Sequence, residues 1–222
     1  MEHKRITLFA GHYGSGKTSI AVSYALKLKE TCPYVTVADL DIVNPYFRTK
    51  DSADILLQNG IPLISSPFAN SNVDLPALPS EMYAITEEKH KNYVVDVGGD
   101  DRGALALGRL KDDILEENNY EMLLVINRYR PLTATPEETL EVLREIEQAC
   151  GIPCTHIVNN SNIGRETTAE EVLASIEYAK AVSNLTGLPM KMTTVREDLF
   201  EEVKQSLPNA FPIRCDNYKI LK

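Results

Sequence analysis

At 222 residues the chain has the length of one sizeable α/β domain with a full core, and residues 1–222 are expected to form a single unit. Apolar residues make up 43% and charged residues 25%, and no apolar run approaches the roughly 18 residues that a membrane span requires. A net charge of −9 excludes a broad electrostatic grip on nucleic acid, which needs clustered Lys and Arg.

The first five residues lead directly into an apolar run, Ile6 to Ala10, without the apolar leader of a secreted chain, so the expected compartment is the cytoplasm. Gly11-His12-Tyr13-Gly14-Ser15-Gly16-Lys17-Thr18 follows, with the spacing G-x-x-x-x-G-K-[ST] of a phosphate-binding loop. Ile20, Ala21, Tyr24, Ala25 and Leu28 then recur at helical spacing to about Glu30, where Cys32-Pro33 breaks the helix. Tyr34 to Ala38 reads as a second strand, ending in Asp39-Leu40-Asp41, and Asn44-Pro45 marks a loop. Ser52 to Gln58 reads as a short helix and Ile61 to Ser65 as a third strand. A loop rich in Pro, Asn and Ser spans Ser66 to Pro79, with helix resuming near Ser80.

Tyr93 to Val97 is an apolar strand carrying one carboxylate, Asp96, followed by Gly98-Gly99-Asp100-Asp101-Arg102-Gly103. Helix is expected from Ala104 to Glu117, and Met122 to Asn127 is an unbroken apolar strand of the kind buried on both faces of a parallel sheet. Thr135-Pro136-Glu137-Glu138 combines a cap, a first-position proline and an acidic first turn. Thr155 to Asn159 is the next strand, Thr168 to Asn184 a helix, Pro189 to Thr194 a last strand and Arg196 to Gln205 a last helix. The segment from Asn209 to Lys222, with Pro212 and no amphipathic period, shows no membrane-tethering helix. About seven strands alternating with helices predict a doubly wound, mostly parallel sheet flanked by helices.

Four cysteines, Cys32, Cys150, Cys154 and Cys215, include no Cys-x-x-Cys pair. They are expected to be reduced and mostly buried, a cluster built from one cysteine per chain across a subunit interface being the alternative.

Ligands of such sheets bind outside the carboxyl ends of the strands, where all the polar clusters fall. Gly11, Gly14, Ser15 and Gly16 are expected to curl main-chain N–H groups around a phosphate, helped by the positive end of the following helix, which also carries Ser19. Lys17 is placed between the β- and γ-phosphates, and Thr18 on a Mg²⁺ ion that Asp96 holds through water. Asp39 and Asp41 share one side of an extended chain, giving Asp39 an outer role at the metal and Asp41 the orientation of the attacking water. Asn159 can pair with an adenine edge. No Asn-Lys-x-Asp guanine signature occurs, since Asn159-Asn160-Ser161-Asn162 lacks both the Lys and the Asp, so ATP, with ADP as product, is the expected nucleotide. Arg48, Arg102, Arg128 and Arg130 are candidate charge-stabilising fingers in loops near the site.

Taken together, Gly11 to Thr18, Asp39-Leu40-Asp41 and Asp96-Val97-Gly98-Gly99 resemble the MinD/ParA/CobQ-like, nitrogenase iron protein-related (SIMIBI) group of P-loop ATPases, and the order of elements matches over nearly the whole chain. The resemblance implies a dimeric ATP-driven switch, with Asp41 as the water-activating carboxylate and Asn159 as the adenine-binding residue. One position departs: where many of these ATPases carry a Lys that reaches the partner's nucleotide, this chain has His12. The leading expectation is a slow, Mg²⁺-dependent ATPase acting as a switch or loader for a protein partner, with a homodimer as one form and no nucleic-acid or membrane partner. The alternatives are an ATP-dependent small-molecule synthetase of the dethiobiotin or cobyrinate type, using Pro67 to Pro79 and Arg102, and a nucleotide-binding module with little hydrolysis.

Overall fold

Apolar runs alternating with helical periods thread one fully parallel sheet. The computed structural model describes residues 3–40, 50–65, 80–99 and 101–214. Its strands are β1 (Ile6–Ala10), β2 (Val35–Asp39), β3 (Leu63–Ser65), β4 (Asn92–Asp96), β5 (Tyr120–Ile126), β6 (His156–Asn159), β7 (Met190–Arg196) and β8 (Ala210–Ile213), in the spatial order β3-β2-β4-β1-β5-β6-β7-β8. Every pairing is parallel. The helices are α1 (Lys17–Lys29), α2 (Lys50–Gln58), α3 (Ala84–Glu87), α4 (Asp101–Gly108), α5 (Lys111–Glu117), α6 (Pro136–Cys150), α7 (Ala169–Thr186) and α8 (Glu197–Val203).

Side chains alternate across each strand, so β1 feeds two cores. Ile6, Leu8 and Ala10 join Leu107, Leu143 and Ala179 of α4, α6 and α7, while Phe9 joins Ile20, Tyr24 and Leu56 of α1 and α2. Both faces of the central strands are therefore covered, which is why β1 and β5 read as continuous apolar runs. The chain leaves β1 toward β2, β3 and β4 on one side and returns to β5 on the other. This reversal opens a crevice at the carboxyl end of β1.

Two expectations are corrected. The sheet has eight strands, because Ala210–Ile213 pairs with β7. Pro212 is tolerated because β8 lies at the sheet edge, where a missing N–H breaks no ladder, and Phe211 and Ile213 alternate inward. The helix expected over Ala104–Glu117 is two helices, broken after Gly108. Leu107, Leu110 and Ile114 stay buried at three- and four-residue spacing through the turn, so periodicity alone cannot register the break.

Arg5, at the start of the sheet, is 7% exposed and fastens α5 to the loop before β4. Its guanidinium grips Glu117 with two N–H groups and donates to the carbonyls of Ile85 at 2.9 Å and Lys91 at 3.2 Å. Hydrogen bonds from Arg5, helped by its charge, hold the Glu117 carboxyl below its usual 4.5. A depressed carboxyl stabilises the fold above the unfolded-state value and loses that contribution as pH falls through the folded one. Urea midpoints of the native chain are therefore expected to fall as pH drops below about 4.5, and those of Glu117→Gln to fall less steeply. Equal slopes would remove Glu117 from the account of acid unfolding.

Among the described residues no helix is long and apolar enough to cross a membrane. Cys32, Cys150 and Cys154 are free and buried, burial pushing the Cys150 and Cys154 thiols up, while Cys215 lies outside the described residues.

Candidate functional site

The turn from β1 into α1 is held by glycines at positive φ: Gly11 at +151°, Gly14 at +75° and Gly16 at +92°. At Gly11 a Cβ would lie 2.5 Å from the Val125 carbonyl of β5, and at Gly16 it would run into the Asn160 amide. Only glycine fits this close curl. Ser15 N closes it by donating to His12 O at 3.2 Å.

What the curl leaves open matters more. α6 and α7 both begin with capping boxes, Thr135 with Glu138 and Thr168 with Glu171. The thirteen-residue α1 has no side-chain cap and no acidic residue in its first turn. Its first N–H groups therefore face the crevice, an arrangement that favours an anion. Beside them the Ser15 hydroxyl is buried with no partner among the described residues. An orphaned hydroxyl and an uncapped helix start both fit a phosphate.

Lys17 is 7% exposed and folds back over the loop, donating from Nζ to Gly11 O at 2.9 Å and His12 O at 3.1 Å. Thr18 Oγ1 donates to Asp96 Oδ2 at 2.6 Å, joining the start of α1 to the end of β4. Asp39 stands in register with Asp96 across the β2–β4 ladder, and the two are 5% and 4% exposed. Two adjacent buried carboxylates beside a threonine hydroxyl suit a divalent cation that completes its shell with water and phosphate oxygens. No group of three or more His, Cys, Asp or Glu able to hold a metal alone occurs among the described residues. Ser19, on the first turn of α1, is half-buried.

Gly99, after β4, touches the phosphate loop directly. A Cβ there would lie 2.8 Å from Tyr13 N and 3.0 Å from Lys17 Nζ. Among the described residues the His12 side chain bonds only locally, through Nδ1 to Tyr13 O at 3.0 Å, and it borders a small cleft with Val97, Gly98 and Ile146. Asp41, the Asn44–Arg48 loop and the Pro67–Pro79 loop lie outside the described residues, and so does the side chain of Arg102.

Asn159 is corrected. It is fully buried, donates from Nδ2 to Ser175 Oγ at 2.8 Å and accepts from Ser161 Oγ at 2.7 Å, so its amide presents no edge to a base. Its neighbour does the work at the site: Asn160 Nδ2 donates to Ser15 O at 2.5 Å and its Oδ1 accepts from Thr194, lashing the phosphate loop to β7. Asn127, 1% exposed at the end of β5, ties into the same network by donating to Asn162 O at 3.1 Å. Sequence reasoning missed both residues. The doubled Asn159-Asn160 at a strand end was the signal, and chain order alone cannot say which of the pair turns toward the loop.

No family model matches the chain, and no curated protein does. Solved structures do. FtsY of Thermotoga maritima is similar at 20% identity and a TM-score of 0.59, over 86% of this chain and 62% of that one. The signal recognition particle receptor FtsY of Elizabethkingia anophelis, in complex with GDP, is 16% identical with a TM-score of 0.55, over 88% and 58%. The signal recognition particle 54 kDa protein of Aeropyrum pernix K1, also with GDP, is 15% identical at 0.53, over 86% and 41%. The chain thus spans less than two thirds of these neighbours' lengths and shares with them the α/β P-loop NTPase-like fold.

Proposed function

We propose that this chain is a Mg²⁺-dependent nucleoside triphosphatase that works as a nucleotide-driven switch for a protein partner. The observation that carries the reading is the 2.6 Å bond from Thr18 to Asp96, set beside a phosphate loop whose helix is uncapped. Thr18 and the Asp39–Asp96 pair are the residues to hold the metal, which when bound neutralises charge on the β- and γ-phosphates. The amides from Gly14 to Lys17 bind the polyphosphate, and Lys17 exchanges two carbonyls for phosphate oxygens. Asp41, two residues beyond Asp39, is assigned to orient the attacking water. Gly99, packed on Tyr13 and Lys17, is the point at which loss of the γ-phosphate reaches the chain after β4.

Two observations pull the base in opposite directions. Neither strand end carries Asn-Lys-x-Asp, since β5 runs into Asn127-Arg128-Tyr129-Arg130 and β6 into Asn160-Ser161-Asn162, which favours ATP. Two of the neighbours hold GDP, which favours GTP. The place within the MinD/ParA-like branch rests on the sequence motifs.

Calorimetry with ATP, ADP, GTP and GDP in Mg²⁺, phosphate release, and molecular mass in each state test the whole reading. One triphosphate is expected to bind and turn over slowly, and Asp41→Ala to keep binding while losing about a hundredfold or more in turnover. If neither triphosphate binds, the proposal fails; undiminished turnover in Asp41→Ala removes Asp41 from its role.

A further inference from the structure

The loop after β5 carries two arginines, and the structure separates them. Asn127 braces this loop. Its carbonyl accepts from Arg130 N at 3.0 Å and from Thr133 Oγ1 at 2.8 Å, and its Oδ1 accepts from Tyr129 N at 3.0 Å. Tyr178 OH, whose pKa burial pushes up to about 12, donates to Thr133 O at 2.6 Å. Within these bonds Leu132 is held at φ +65°, a conformation that a branched side chain seldom adopts. The loop is built rather than slack.

Its path sends Arg128 toward α7, where the guanidinium donates to Ala174 O at 3.3 Å and lies 5.6 and 6.0 Å from the ring centroids of Tyr129 and Tyr178. Arg130 goes the other way and lies over the lip of the phosphate loop. A Cβ built on Gly14 would sit 3.8 Å from Arg130 Nε and 3.9 Å from its Cδ. Among the described residues no carboxylate forms an ion pair with it, although the chain carries 32 acidic residues.

We propose that Arg130 is a phosphate-binding residue supplied by the same chain, its guanidinium reaching from the lip of the loop to the polyphosphate of the bound nucleotide. The inference rests on the nucleotide-binding reading above. A guanidinium offers paired N–H donors matched to phosphate oxygens and stays charged throughout the working pH range. Being exposed and, among the described residues, held only through the backbone beneath it, Arg130 can swing onto a ligand without dismantling a salt bridge to any of them.

The test measures Kd for MgATP, MgGTP and their diphosphates on the full chain, Arg130→Ala and Arg130→Lys, together with the Tm of each free protein. Arg130→Ala is expected to weaken the preferred triphosphate about ten- to a hundredfold, with Arg130→Lys between the two and the Tm of the free protein unchanged. Native-like affinity and turnover in Arg130→Ala, with the full chain binding normally, overturns the inference alone; a full chain that binds no nucleotide overturns the parent reading. A loss confined to turnover, and restored on mixing Arg130→Ala with Lys17→Ala chains, overturns the placement within one chain.

Discussion

Lys17→Ala is expected to weaken Mg²⁺–triphosphate binding by about a hundredfold or more. Lys17 is more than nine-tenths buried, and its ammonium sits where the loop, the start of α1 and Gly99 converge. In the structure it is stapled to the carbonyls of Gly11 and His12. Each charge-assisted bond to phosphate that replaces a carbonyl contact contributes roughly 1.5–3 kcal/mol, and every 1.4 kcal/mol is about tenfold in affinity. Tm alone is a poor readout, because Lys17 also fastens the Gly11 and His12 carbonyls of its own loop and its loss alters the free protein. The nucleotide-induced rise in Tm is the better one. At a hundred times Kd a ligand adds about 2.7 kcal/mol to stability, nearly all of which the variant forfeits at the same concentration. A rise equal to that of the native chain would mean that Lys17 does not meet the ligand, and the phosphate-loop reading would fall with it.

The parts of this site that were legible are those in which local backbone chemistry decides the outcome. The glycines between Gly11 and Gly16 announce a curl because few other residues adopt those angles, and Lys17-Thr18 can follow only at a helix start. Asp96 was legible because a carboxylate at the end of an apolar strand needs a partner, and it has one in Thr18. Asn159 failed for the opposite reason. Asn159 and Asn160 are chemically identical, and which one faces the loop depends on the pleat of β6 and on Thr194 and Ser175, contributed by β7 and α7. Arg130 was only one of four candidates until the turn fixed by Asn127 aimed it. Strand β8 stayed hidden behind Pro212, because edge position is a property of the assembled sheet. Side chains aimed by distant elements leave no local trace.

Lys191→Ala is expected to cost the fold about 3–5 kcal/mol, a large part of the 5–15 kcal/mol typical of a domain and about 10 °C in Tm for a chain of this size. Lys191 reaches from β7 across β6 to Glu121 on β5, with Nζ 2.7 Å from Oε2. Glu121 is 2% exposed, and its Oε1 accepts from Thr7 at 3.2 Å and Tyr24 at 3.1 Å. Burial first and the Glu121 charge second push the Tyr24 phenol far above its usual range, while burial and the Lys191 charge lower the His156 imidazole. Two hydroxyls cannot stand in for an ammonium, so truncating Lys191 strands a carboxylate inside the sheet layer. The pair itself is a different quantity. Desolvating both charges offsets most of their attraction, so Glu121→Leu combined with Lys191→Met is expected to recover most of the loss. Urea unfolding of the native chain, Glu121→Leu, Lys191→Met and the double variant closes the cycle, with Lys191→Ala measured beside it. A Lys191→Ala cost below about 1 kcal/mol would mean that Glu121 is solvated in a way its burial does not reveal, and a double variant as weak as Lys191→Ala would mean that the pair adds net stability. The network lies at the amino ends of the strands, opposite the phosphate loop. Variants there are therefore expected to lose stability with unchanged nucleotide affinity in the folded fraction, the reverse of the pattern at Lys17.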